Sequence, residues 1–118
     1  MNTYRDLIVW QKSMDMVKHI YHATKRFPED ERFGLTNQIR RAAVSVPSNI
    51  AEGYGRNSTQ DYVRFLRMAT GSLYEIQTQL EIARCENYLA FESYDNIANL
   101  LIEIEKMLVS LTKKIAKH

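Results

Sequence analysis

Five arginines are the residues whose type and spacing most readily support chemistry on a partner. Arg40 and Arg41 are adjacent, Arg56 follows, and Arg64 and Arg67 stand three apart, with Tyr54 and Tyr62 between them. A guanidinium is a planar fork of donors that matches phosphate oxygens, and an aromatic ring can stack on an unpaired base. The set therefore points to nucleic acid gripped through its backbone. Lys113, Lys114 and Lys117 would add point charges near the other end of the chain. The competing assignment is structural: Arg64 and Arg67 could pair with acids elsewhere in the chain or in a second subunit.

Other reactive side chains lead to less. His19, His22 and Asp15 share a helical face and could offer metal ligands. No Glu-x-x-His pair accompanies them, however, and such residues are common on solvated helices. Trp10 is in phase with Leu7 and Met14 and reads as core rather than as a base-stacking ring. Cys85 stands between Arg84 and Glu86 with no His or second Cys to activate it, so an inert or partly buried thiol is expected. Glu75, Glu81, Glu103 and Glu105 read as solvated helix carboxylates rather than as an acid and base pair. There is no nucleophile elbow, no GxGxxG and no GxxxxGK. No enzyme, metal site or cofactor is expected.

The elements that must position these arginines are helices. Leu7, Trp10, Met14, Val17, Tyr21 and Thr24 recur at steps of three and four, and Val9, Met16, Ile20 and Phe27 widen the stripe. The spacing predicts a helix over 5–26, ended by Phe27-Pro28. A second helix is expected from about Asp30, with acids at its positive end and a face through Leu35, Ile39, Ala42 or Ala43, Val46 and Ile50. Pro47 falls inside that pattern and predicts a kink. Gly53 and Gly55 close the segment, and Ser58 with Asp61 reads as a capping box. The third helix, over 59–86, carries Tyr62, Leu66, Ala69, Leu73, Ile76, Leu80 and Ala83 in 4-3-4-3 spacing, with Asn87 suited to a left-handed stop. A fourth from about Ser93 carries Tyr94, Ile97, Leu101, Ile104, Leu108, Leu111 and Ile115. The expectation is an all-α protein, a single domain over 1–118 folded as an antiparallel up-down four-helix bundle.

Two smaller features leave alternatives open. Gln38, Arg41, Ser45, Ser48, Asn49 and Glu52 form either a polar layer around the carbonyl of Ala43 that Pro47 frees, or a ligand surface through Arg41 and Asn49. Ala69, Thr70, Gly71 and Ser72 make a small-residue patch. A mid-helix glycine costs about 1 kcal/mol against alanine, so close approach by a helix of this chain or of a partner would compensate.

Composition narrows the class. The chain has 118 residues, 45% hydrophobic and 25% charged, with four Gly, two Pro and a single Cys. That suffices for a core without a disulfide or structural metal. No run of about 18 apolar residues and no signal-peptide pattern occurs, so no membrane association is expected and the cytoplasm is the default compartment. The net charge of +2 hides segregation: residues 1–31 sum to 0, 32–67 to +4, 68–105 to −6 and 106–118 to +4.

Three stretches carry a resemblance that spacing cannot supply: YRDLIVWQKS at 4–13, GLTNQIRRAAVSVPSNIAEGYGR at 34–56 and FLRMATGSLYEIQTQLEIA at 65–83. The chain resembles the four-helix-bundle family of 23S rRNA intervening-sequence proteins, also labelled S23 ribosomal protein-like. The resemblance implies a homopentameric ring and kinship with accessory proteins of diversity-generating retroelements, which engage RNA and a reverse transcriptase. It brings no catalytic residues. The chain departs from the family pattern at Ile76, where a small hydroxyl residue is common, and at Asn87, where glycine is usual. The resulting expectation is a non-catalytic oligomer that binds RNA through Arg40, Arg41, Arg56, Arg64 and Arg67, helped by Lys113, Lys114 and Lys117. The alternative is an assembly or adaptor protein that binds no nucleic acid.

Overall fold

The computed structural model describes residues 3–117. Four helices dominate it: α1 (Ile8–Thr24), α2 (Leu35–Tyr54), α3 (Thr59–Cys85) and α4 (Phe91–Ala116), with no strand among the described residues. Each helix packs on its neighbours in sequence and α1 closes on α4, while the diagonal pairs make no close backbone contact. The start of α1 lies beside the ends of α2 and α4, and the start of α3 lies beside the end of α4. This is the antiparallel up-down bundle, measuring 45 × 25 × 21 Å. No described helix is long and apolar enough to cross a membrane.

The core is a continuous apolar column. Met16 and Ile20 from α1, Ile39, Val46 and Ile50 from α2, Leu66, Leu73 and Ile76 from α3, and Leu101, Ile104 and Leu108 from α4 are all essentially inaccessible. On α3 and α4 these are the expected stripes. On α1 the buried line is Val9, Ser13, Met16, Ile20 and Thr24, while Met14 and Tyr21 stand partly exposed. Ser13 and Thr24 enter the core because their hydroxyls donate to the carbonyls of Val9 and Ile20, both at 2.7 Å.

The connections differ from expectation at three points, each for a local reason. The second helix begins at Leu35 rather than Asp30, because Glu29–Glu31 forms a separate 3₁₀ turn after Pro28. Glu31 then caps α2 from outside: its Oε1 accepts the Leu35 N–H at 3.0 Å. Gly34 permits that reach, since a Cβ there would lie 2.8 Å from the same oxygen. Gly53 is a packing glycine inside α2 rather than a stop. A Cβ on it would meet Phe65 Cβ at 2.8 Å and Tyr62 Cδ1 at 3.1 Å, so its absence lets α3 approach. The fourth helix starts at Phe91, with Ala90 as an extended N-cap that makes no side-chain bond, two residues ahead of Ser93.

Other signals match closely. Asn87 adopts φ 62°, and its N–H bonds Arg84 O at 3.0 Å while the Tyr88 N–H bonds Ala83 O at 2.9 Å, a complete Schellman stop. Ser58 accepts the Asp61 N–H at 3.1 Å, although the Asp61 carboxylate faces Arg64 instead of closing the box. α2 stays helical through buried Pro47 to Tyr54. The Ser48 hydroxyl bonds Val44 O at 2.8 Å and the Asn49 amide bonds Ser45 O at 2.8 Å, so these side chains serve the carbonyls of Val44 and Ser45 rather than that of Ala43.

Candidate nucleic-acid interface

Antiparallel order brings the C-terminal ends of α2 and α4 to the N-terminal end of α3. Arg56, Arg64, Arg67, Lys113, Lys114 and Lys117 consequently gather at one end of the bundle, although they are up to about sixty residues apart in sequence. Arg64 and Arg67 line an open groove of about 1040 Å³ with Thr59, Gln60, Met68 and Ala116, between the start of α3 and the end of α4. Arg67, Lys113, Lys114 and Lys117 are exposed and make no ion pair or hydrogen bond among the described residues. Arg56 pairs with Glu52 at 2.9 Å, and Arg64 lies 3.7 Å from Asp61. Both guanidiniums also stand over the buried Phe65 ring, at 4.8 and 4.6 Å from its centre. Arg64 thus pairs within its own helix, and neither it nor Arg67 meets an acid of the 68–105 block.

The remaining two arginines go elsewhere. Arg40 lies toward the opposite end and closes α1: its Nε donates to Thr24 Oγ1 at 2.8 Å, and its guanidinium sits 4.7 Å over the Tyr21 ring. It places positive charge at the negative end of that helix, which is a structural role. Arg41 is without a partner among the described residues, on the side of the bundle in a polar groove of about 620 Å³ between α2 and α3. Tyr54 and Tyr62 do not form a stacking platform. They pack edge to face at 6.2 Å against the core, and burial pushes the Tyr62 hydroxyl pKa up.

The acids are mostly committed. Glu31 Oε2 accepts the Tyr88 hydroxyl at 2.8 Å, and Glu81 accepts the Tyr94 hydroxyl at 2.6 Å and Arg84 Nε at 2.9 Å. The Leu35 N–H, followed by Tyr88, holds Glu31 below the ordinary carboxylate range, and Tyr94, followed by Arg84, does the same for Glu81. Glu103 pairs with Lys12 at 3.3 Å, and Glu105 accepts Tyr74 and Gln77 at 3.0 and 3.1 Å. His19 leans on Asp15 of its own helix, and no group of three metal-ligating side chains occurs among the described residues. Cys85 is exposed rather than partly buried.

Two residues the motifs did not single out are conspicuous. Phe33, before α2, is 84% exposed, and Asn37 follows it into the groove that holds Arg41. The available signal was phase: Phe33 falls outside the Leu35 and Ile39 stripe. Gly71 is exposed, and a Cβ on it would have nothing within 4 Å, so no helix of this chain approaches it. The rest of the patch does not share that exposure, since Ala69 is buried in the core and Ser72 bonds Ser45 of α2 at 2.9 Å.

Comparison with known proteins agrees with the bundle fold. A crystal structure described as a protein with unknown function from the S23 ribosomal protein family, from Bacteroides thetaiotaomicron VPI-5482, is similar with a TM-score of 0.83 and 29% identity. The match covers 90% of this chain and 96% of that one. No curated protein sequence matches this chain. The 23S rRNA-intervening sequence protein family matches over residues 5–110, nearly the whole bundle, and the chain belongs to that family.

Proposed function

We propose that this protein is a non-catalytic, cytoplasmic RNA-binding bundle that works as a homo-oligomer. The observation that carries the reading is the gathering of Arg56, Arg64, Arg67, Lys113, Lys114 and Lys117 at one end, where Arg67 and the three lysines have no partner among the described residues. Cations left unpaired on a surface attract phosphates through counterion release, and several weak contacts multiplied over an oligomer act together. Of the arginines first considered, Arg67 and Arg64 are assigned direct phosphate contact and Arg40 is not.

Filter retention of structured and single-stranded RNA between low and physiological salt tests the reading. Binding should weaken as salt rises, and the joint change Arg64→Glu with Arg67→Glu should weaken it further while light scattering reports an intact oligomer. Absence of retention at low salt would refute it.

A second reading, assembly or adaptor work without nucleic acid, is favoured by the outer face of α3. Gly71 there is flanked by Met68, Tyr74 and Ile82, each nearly half exposed, and Arg64 and Arg67 continue the same face. This face suits contact with another subunit, and the family resemblance suggests a homopentameric ring and a reverse-transcriptase partner. Loss of the oligomer in the double arginine variant, with no RNA bound by the parent, would favour this reading.

A further inference from the structure

We infer that the polar groove between α2 and α3 holds one unpaired nucleotide, its base stacked on Phe33 and its phosphate at Arg41. The inference rests on the nucleic-acid reading above and locates a second, base-contacting site away from the basic end. Phe33 is the most exposed large apolar side chain described, at 84%, and the guanidinium of Arg32 lies 5.2 Å from its ring centre. An aromatic face left in water beside a guanidinium is the surface on which single-stranded bases stack.

The groove supplies complementary polar groups. Arg41 and Glu75 both line it, yet no ion pair joins them, so a cation and an anion stand across open space. Glu75 Oε2 accepts from Gln79 Nε2 at 3.1 Å, which leaves Oε1 without a partner among the described residues. Asn37 and Gln38 line the same groove with no side-chain bond of their own there, while Ser45 and Ser72 are tied to each other at 2.9 Å. A ligand that closes such a gap needs an anionic acceptor for Arg41 and a donor for Glu75. A nucleotide with an exocyclic amine has both: the amine donates to the free Glu75 oxygen, and the phosphate takes the guanidinium fork. Glu75 also repels phosphate from its own side, which sets the orientation. Adenine, cytosine and guanine carry that amine and uracil does not, so the site disfavours uridine.

Amide chemical shifts of the full chain, titrated with an adenosine RNA hexamer, a uridine hexamer, a duplex RNA and inorganic phosphate, test the site. The adenosine hexamer should shift residues 33–41 and 72–75 and bind more tightly than the uridine hexamer. Phe33→Ala should lower hexamer affinity about tenfold or more. Its unfolding temperature and its duplex binding should stay unchanged, because the ring packs on nothing in the core. Glu75→Gln should narrow the difference between the two hexamers. Hexamer shifts confined to residues 56–67 and 113–117, or unchanged affinity in Phe33→Ala, would overturn this site and leave the basic end standing. Inorganic phosphate shifting the groove as strongly as the hexamer would also overturn it, reducing the groove to an anion site. Groove shifts by the hexamer with no salt-dependent duplex binding would instead refute the basic-end reading.

Discussion

The two ends of the bundle use their charged side chains differently. Where α1 and α3 finish, several charged side chains are bonded inward: Glu31 holds the Leu35 N–H and Tyr88, Glu81 holds Tyr94 and Arg84, and Arg40 holds Thr24. Lys25, Arg26 and Glu86 there stay exposed without a side-chain partner among the described residues. Where α2 and α4 finish, Arg67, Lys113, Lys114 and Lys117 have no partner among the described residues. The bonded charges at the first end shape the connections that fix helix order, and at the second the cations that stand beside the paired Arg56 and Arg64 are free to meet another molecule. An arginine's role therefore follows from what surrounds it: adjacent Arg40 and Arg41 divide between the two kinds.

The sharpest way to break the contrast is charge reversal. Arg67→Glu combined with Lys114→Glu should lower RNA affinity at least about tenfold and flatten its salt dependence by about 0.7 to 0.9 in log–log slope for each phosphate no longer neutralised. Thermal unfolding should barely move. Arg40→Ala should do the reverse, costing about 1 kcal/mol of stability with little change in RNA binding. Equal effects on binding from both variants would erase the distinction between the ends.

Packing offers the next largest effect. Gly53→Ala places a methyl 2.8 Å from Phe65 Cβ, with Tyr62 also close. Overpacking of this kind costs about 1–3 kcal/mol, read by urea unfolding. Retention of parental stability would mean that α2 and α3 separate freely at the basic end.

Acid sensitivity should come from the other end. The folded pKa values of Glu31 and Glu81 lie below their ordinary value of 4.5, so their contribution is complete above that pH and is lost as pH falls through the lowered folded values. Urea unfolding followed from about pH 7 to pH 2 should show this decline. Glu31→Gln should reduce stability at neutral pH and make the decline below pH 4.5 shallower. An unchanged slope would show that Glu31 carries no share of it.

The smallest effect separates inner from outer glycine. Gly71→Ala meets no atom of this chain, so helix propensity alone should stabilise the subunit by up to about 1 kcal/mol. A loss of the oligomer in that variant would place Gly71 in a subunit contact.

Much of the fold was legible because helical signals are local. The strict spacing of Leu66, Ala69, Leu73, Ile76 and Leu80 marked the α3 face, and Asn87 marked its left-handed stop. The start of α2 was misplaced because its cap comes from Glu31, a residue of a separate turn that sequence spacing merges with the helix. The α1 core line was partly hidden because Ser13 and Thr24 bury their hydroxyls on their own backbone, so polarity in sequence did not mean exposure.

The arginines show the boundary most clearly. Sequence alone determined four amphipathic helices, their order, and a charge pattern that alternates in blocks, since each depends on residue type and near-neighbour spacing. Only the tertiary structure decided that the C-terminal lysines join Arg56, Arg64 and Arg67 at one end, that Arg40 is consumed in closing α1, and that Arg41 faces Glu75 without pairing. Partnership is set by distances between helices, and those distances come from how four apolar stripes share one core.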